Sequence, residues 1–252
     1  MLFKSLCIAF KTYSRIPMPE VEWNEKNMKY AVCFFPLIGA VIGAFEFLWR
    51  FLAGILSVNT ILYGAIAALL PILITGAIHM DGFCDTVDAL SSHQTKERML
   101  EILKDSHAGA FAIIFGTAWM IVYFACFTQI ADYKSLWVIG FGFILSRSLS
   151  GLALVIFKNA RKNGMLHAFS DTAGQRPVLF SMAAGIGISA ILMILLGGWR
   201  GVIAVVVNGL VFLYYRILSY KKFGGITGDL AGCFLQLAEL ATAVVMALTA
   251  GL

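Results

Sequence analysis

The sequence predicts an all-α, polytopic integral membrane protein: a bundle of about seven transmembrane helices preceded by a helix lying at the interface. Three observations carry this reading. Apolar residues make up 60% of the 252-residue chain and charged residues only 13%, about half the roughly 25% charge of an ordinary soluble chain. Mean hydropathy is +0.86. Apolar runs of the ~20 residues that cross a bilayer recur over 32–57, 59–80, 109–131, 135–157, 177–198, 200–220 and 230–252.

The first 18 residues are too mixed for a signal peptide. Lys4, Lys11 and Arg15 alternate with apolar positions, which suits an amphipathic interfacial helix. Pro17 and Pro19 then break it. Glu46 and Arg50 interrupt the first span at i, i+4 spacing, as a pair facing a protein interior or a wet cavity would. The second span runs into His79-Met80-Asp81-Gly82-Phe83-Cys84-Asp85-Thr86-Val87-Asp88. On a helix, Asp81, Asp85 and Asp88 fall within an arc of roughly 60°. Carboxylates about 6 Å apart repel by about 2–3 kcal/mol per pair at an effective dielectric near 20. A helix dipole explains one or two acidic residues in a first turn. It does not explain three on one face beside a bilayer, so the cluster reads as a divalent-metal site. His79, two residues before Asp81, points elsewhere. Its readings are a substrate contact, a proton donor or an interfacial histidine.

Thr95 through Lys104 has helical apolar spacing and reads as a short surface helix. It delivers a fourth carboxylate, Asp105, to the start of the next span. Oxygen-only donors suit Mg²⁺ or Mn²⁺, and a two-ion arrangement would suit displacement at phosphorus. Arg147 lies inside a span and needs an anionic partner: Glu46, Glu239 or a substrate phosphate. The loop 158–164, with Lys158, Arg161 and Lys162, is a candidate phosphate clamp or an ordinary basic loop. Gly224-Gly225-Ile226-Thr227-Gly228-Asp229 precedes the last span. Its glycines suit close backbone approach to an anion at a helix N-terminus, with Thr227 or Asp229 as the cap. Gln236 and Glu239 follow near the helical face of Asp229. Cys7, Cys33, Cys84, Cys126 and Cys233 show no C-x-x-C spacing, so neither a disulfide framework nor a zinc site is expected.

No repeat or linker divides the chain, and 1–252 is expected to form a single membrane-embedded domain. With seven spans, the lysines and arginines gather on one side, apart from Lys134, Arg200, Arg50 and Arg147. The positive-inside rule puts that side, and the candidate site, in the cytoplasm. The net charge of +5 favours anionic lipid or a phosphorylated substrate. No basic stripe with interleaved aromatics suggests nucleic acid. The sequence leaves a homo-oligomer open.

The run from His79 to Leu90 resembles the signature of the cobalamin synthase family, the adenosylcobinamide-GDP ribazoletransferases. Further segments resemble that family in the same order: Ser14–Pro19, Phe35–Gly39, Lys104-Asp105-Ser106 with Gly109-Ala110-Phe111, and Gly224–Asp229. His107, Ala112 and Gln236 depart from its pattern. The resemblance implies an inner-membrane transferase of late vitamin B12 assembly. It would join adenosylcobinamide-GDP to α-ribazole, or to its 5′-phosphate, releasing GMP with Mg²⁺ as cofactor. Asp81, Asp85, Asp88 and Asp105 would be metal ligands or their neighbours, with Asp88 or Asp105 as proton acceptor. The resemblance also puts Asp229 in the site, and the residue reading adds His79, Arg147, Arg161 and the Gly224, Gly225, Thr227, Gly228 and Asp229 turn as candidate substrate contacts. Two other readings of the aspartate pattern are a CDP-alcohol-type phosphotransferase and an ion-coupled transporter. The first usually carries a small residue and an arginine after Asp-Gly, where Phe83-Cys84 stands here. The second would more often show inverted repeats and mid-membrane helix breaks.

Overall fold

The computed structural model describes residues 1–105, 107–130, 132–161 and 164–251. Among them the regular elements are helices, with one isolated bridge between Asn159 and Ile226. Ser106, Lys162 and Asn163, together with Ala131 and Leu252 at the ends of two expected spans, lie outside the described residues.

Helix α1 (Leu2–Tyr13) buries Cys7, Ile8, Ala9 and Phe10 and exposes Leu2 and Phe3, the amphipathic character its sequence predicts. A short α2 (Glu25–Met28), capped by the Asn24 side chain, leads through a 3₁₀ turn into α3 (Phe35–Ile55). Pro36 sits in the first turn of α3, where its missing N–H has no helical partner to lose. Helix α4 (Thr60–Thr75) starts on the Asn59 side chain, which accepts the Leu62 N–H at 2.8 Å.

The expected straight span 59–80 is corrected here. Gly76 and Ala77 both adopt left-handed φ of 64°, and the chain turns by 93° into α5 (Ile78–Ser91). The helices that follow are α6 (Lys96–Ile102), α7 (Ala110–Gln129), α8 (Tyr133–Ile156), α9 (Met165–Thr172) and α10 (Gln175–Gly197). Then come α11 (Trp199–Leu218), a π-helical turn over Ser219–Phe223, and α12 (Gly228–Leu248). Among the described residues, six helices are long and apolar enough to cross a membrane, and the count is seven if the bent α4–α5 pair is one broken span.

Helix α5 meets α7 and α12 at their first turns. Cys84 reaches the Ala112 carbonyl, and Gly82 lies against Asp229. It therefore packs against the Ala112 and Asp229 ends of these two helices. The opposite end is tied by Arg200, which lies 3.6 Å from Asp132 and donates to Ser135 and to the Thr249 carbonyl.

Helices α8 and α12 are the most enclosed spans, and an ion pair joins them. Arg147, fully buried, places Nη1 2.7 Å from Glu239 Oε1 and also donates to the Phe143 carbonyl. Of the partners the sequence left open, Glu239 is the one observed. Glu46 is buried too, and its oxygens meet no hydrogen-bond partner among the described residues. The guanidinium of Arg50 instead lies over the Tyr63 and Tyr133 rings. Removing one member of a buried pair strands the other, at a cost of about 3–5 kcal/mol. Arg147→Leu is accordingly expected to lower the melting midpoint in detergent, followed by tryptophan fluorescence. Adding Glu239→Leu should restore much of that loss.

Candidate active site

The site begins with one close contact. Gly82 on α5 faces the backbone of Asp229 in the first turn of α12. A Cβ at position 82 would sit 2.8 Å from the Asp229 carbonyl oxygen and 2.9 Å from its Cα. Only glycine permits that approach, and it brings Asp229 beside the carboxylates of α5.

The turn before α12 holds Asp229 in place. Thr227 caps the helix by accepting the Leu230 N–H at 3.2 Å, which decides between the two candidate caps. Ile226 N–H donates to the Lys158 carbonyl at 2.8 Å, and Ala160 N–H donates to the Ile226 carbonyl at 2.9 Å. A Cβ on Gly225 would collide with Lys158 and Ala160, so the lacing requires glycine there. The same lacing carries Arg161 to within 3.8 Å of Asp229. Arg161 also donates to the Leu100 carbonyl of α6. Of the candidate clamp, the described residues thus show Arg161 directed at a carboxylate and at α6.

The four aspartates of the sequence motif diverge in role. Asp85 is half-buried, and its carboxyl is pushed up to about 7. Burial is the largest cause, followed by the charges of Asp81, Asp229, Asp88 and Asp105. Asp88 has both oxygens committed to the start of α7. Oδ2 accepts the Gly109 N–H at 2.6 Å, and Oδ1 accepts the Ala112 N–H at 2.9 Å. It thereby satisfies two of the donors a helix N-terminus leaves unpaired. Asp105 is exposed, and the His107 ring and N–H beside it hold its carboxyl below the usual range. Asp81 and Asp229 remain facing a common space.

That space is a cavity of about 220 Å³ lined by Tyr13, Phe35, His79, Asp81, Asp229 and Leu235, among others. Two polar recesses flank it. One, sharing Asp229, is lined by Arg161, His167 and Thr227. The other, sharing Asp81, is lined by Lys11 and Arg15. Thr227 and Gly228 line the first recess, Gly224 lies against Lys96 and Gly225 against Lys158 and Ala160, and His79 forms part of the cavity wall. Arg147 lies deeper, paired with Glu239, and lines none of these spaces. Sequence reasoning assigned Lys11 and Arg15 to an interfacial helix and gave Tyr13 and His167 no role. The Ser14–Pro19 segment was the one signal that could have pointed to Arg15.

Among the described residues, no three Asp, Glu, His or Cys side chains converge into a cation cage. The donor set nonetheless fits Mg²⁺, which typically takes one or two carboxylates, several waters and substrate phosphates. Asp85, crowded by like charge, is the observation that a nearby cation would relieve.

An all-helical membrane bundle with carboxylates from two helices, flanked by basic recesses at one end, defines a class: a membrane enzyme acting on an anionic substrate. The family model for cobalamin-5-phosphate synthase matches residues 5–247, and the chain belongs to that family. It is 47% identical over 247 residues to the adenosylcobinamide-GDP ribazoletransferase of Lachnoclostridium phytofermentans, covering 98% of this chain and 94% of the relative. The enzymes of the same name from Clostridium perfringens and Listeria monocytogenes are 31% and 30% identical. Each of these two alignments spans about 95% of both chains. No solved structure matches the chain. The protein is thus a transferase of cobalamin synthesis.

Two outcomes follow from the geometry. Gly82→Ala overpacks the α5–α12 contact by about 1–3 kcal/mol. It should also lower product formation about tenfold or more, since each ~1.4 kcal/mol of lost transition-state stabilisation is one decade. Asp88→Ala leaves two N–H groups of α7 without acceptors. It should destabilise the protein by about 1–3 kcal/mol, read as a lower melting midpoint.

Proposed function

We propose that this chain joins adenosylcobinamide-GDP to α-ribazole, or to its 5′-phosphate, with release of GMP. The curated relatives carry the name of that transfer. The observation that carries the reading here is the gathering of Asp81, Asp85 and Asp229 by the Gly82 contact, with Arg161 beside them.

Mg²⁺ would be held by Asp81 and Asp229, and when bound it would offset the charge of the pyrophosphate and of the departing GMP. The remaining work falls to the chain. Arg161 and His167 on one flank, and Lys11 and Arg15 on the other, offer cationic or hydrogen-bonding contacts to phosphate oxygens. A ribose hydroxyl of the acceptor attacks the phosphorus that bears the cobinamide arm. A new P–O bond forms, the bond to GMP breaks, and the hydroxyl proton passes to a carboxylate. Asp85 is the best placed acceptor, because it lies half-buried beside Asp81 and Asp229 and no hydrogen bond among the described residues occupies its carboxylate. Asp88 is occupied with α7 and Asp105 with His107.

The face of the membrane follows from charge. Lys11, Arg15, Lys96, Lys158, Arg161 and Lys221 cluster at the end of the bundle that carries the carboxylates, and Lys134 and Arg200 lie at the other. The positive-inside rule favours a cytoplasmic site in the cytoplasmic membrane.

Mass spectrometry of the purified protein with both substrates tests this directly. The condensed corrinoid product and GMP should appear with Mg²⁺ and not without it. Asp85→Asn should cut turnover by about 10²-fold or more, the usual contribution of a positioned base. Wild-type turnover in a folded Asp85→Asn protein would contradict the role given to Asp85.

A further inference from the structure

We propose that the cavity beneath Asp81 and Asp229 seats the aromatic base of the acceptor nucleoside, with Tyr13 and Phe35 against its ring and His79 Nε2–H donating to its free ring nitrogen. This rests on the transfer reaction proposed above and adds the subsite that selects its acceptor.

Size comes first. At about 220 Å³ the cavity falls below the ~300–1,000 Å³ that houses drug-sized ligands. It suits a bicyclic aromatic and excludes a corrin macrocycle. Its walls are aromatic and aliphatic. Tyr13 and Phe35 have ring centroids 4.4 Å apart, and His79 lies 6.3 Å from Tyr13 in a stacked arrangement and 5.9 Å from Phe35. Leu154, Leu166 and Leu235 add aliphatic surface, and Ser150, Asp81 and Asp229 add polar groups.

The wall also holds a buried polar atom without an internal partner. His79 is 4% exposed, and its Nε2 finds no hydrogen-bond partner among the described residues. Leaving such a group unpaired is unfavourable, so a ligand acceptor would be welcome there. An N-ribosylated benzimidazole carries its sugar on one ring nitrogen and leaves the other as an acceptor. It would thus satisfy His79 and present only hydrocarbon to the leucines. A lipid chain would leave His79 unpaired. Asp81 and Asp229 also line the cavity, so a base seated there directs its ribose toward the carboxylates, where the transfer needs its hydroxyl.

Steady-state kinetics of the full chain in nanodiscs separate the possibilities. Calorimetric binding of the benzimidazole riboside alone provides a readout independent of turnover. Ala231→Leu narrows the cavity and should raise the acceptor KM and Kd about tenfold or more, with the KM for adenosylcobinamide-GDP held within about twofold. Leu235→Ala widens it and should shift preference toward a bulkier naphthimidazole riboside. His79→Phe should weaken riboside binding, and His79→Gln should retain much of it. A raised KM for the GDP-activated substrate alone would overturn the assignment. So would unchanged riboside binding and base preference in these variants. Riboside binding that follows the expected order in a protein making no product would uphold the cavity and defeat the transfer reading instead.

Discussion

The structure depends on the close crossing of α5 over α12. Glycine stands on both sides of it. Gly82 faces the Asp229 backbone, and a Cβ on Gly232 would come within 3.0 Å of the His79 carbonyl oxygen and 3.4 Å of Gly82 Cα. Without a Cβ at either position, two backbones meet where helices usually stand 8–10 Å apart. That approach sets carboxylates of two separate elements around one space and places His79 on its wall. The chemistry follows from this contact more than from any single aspartate.

Other interactions hold the crossing in register. The 93° turn at Gly76 and Ala77 lets α5 leave the direction of α4 and pack against α12. Asp88 fastens α5 to the first turn of α7 through two N–H groups. Deeper in the bundle, the Arg147–Glu239 pair fixes α12 to α8. On the outer side, the bridge between Asn159 and Ile226 ties the turn before α12 to the loop that carries Arg161. Carboxylates, basic recesses and an apolar cavity thus share one frame, the arrangement that orienting two substrates at a reacting phosphorus would need.

Much of this was legible in the chain. Hydropathy marked the long spans, and the i, i+4, i+7 spacing of Asp81, Asp85 and Asp88 placed them on one helix. Local chemistry narrowed the cap of α12 to Thr227 or Asp229, because a capping oxygen and the N–H it accepts lie within one turn. The bend at Gly76–Ala77 was not legible, since it falls inside an apolar run and one of its two left-handed residues is an alanine. The anchoring role of Asp88 was hidden for another reason: its partners lie 21 and 24 residues away, and only tertiary packing brings them together. Arg147 plainly needed an anion, but its partner is 92 residues distant. Lys11 and Arg15 read as interfacial because α1 is amphipathic. The recess they line exists only once α1 is docked beside the bend.

The central claim is that α5 and α12 together form a cation-dependent site for an anionic substrate. Electron paramagnetic resonance of Mn²⁺, added to the purified protein in nanodiscs with the GDP-activated substrate, tests it most directly. The account predicts a bound Mn²⁺ signal in the wild type that is lost in Asp81→Asn and in Asp229→Asn. A signal of wild-type strength in folded Asp229→Asn protein would contradict it, because α12 would then contribute nothing to the site.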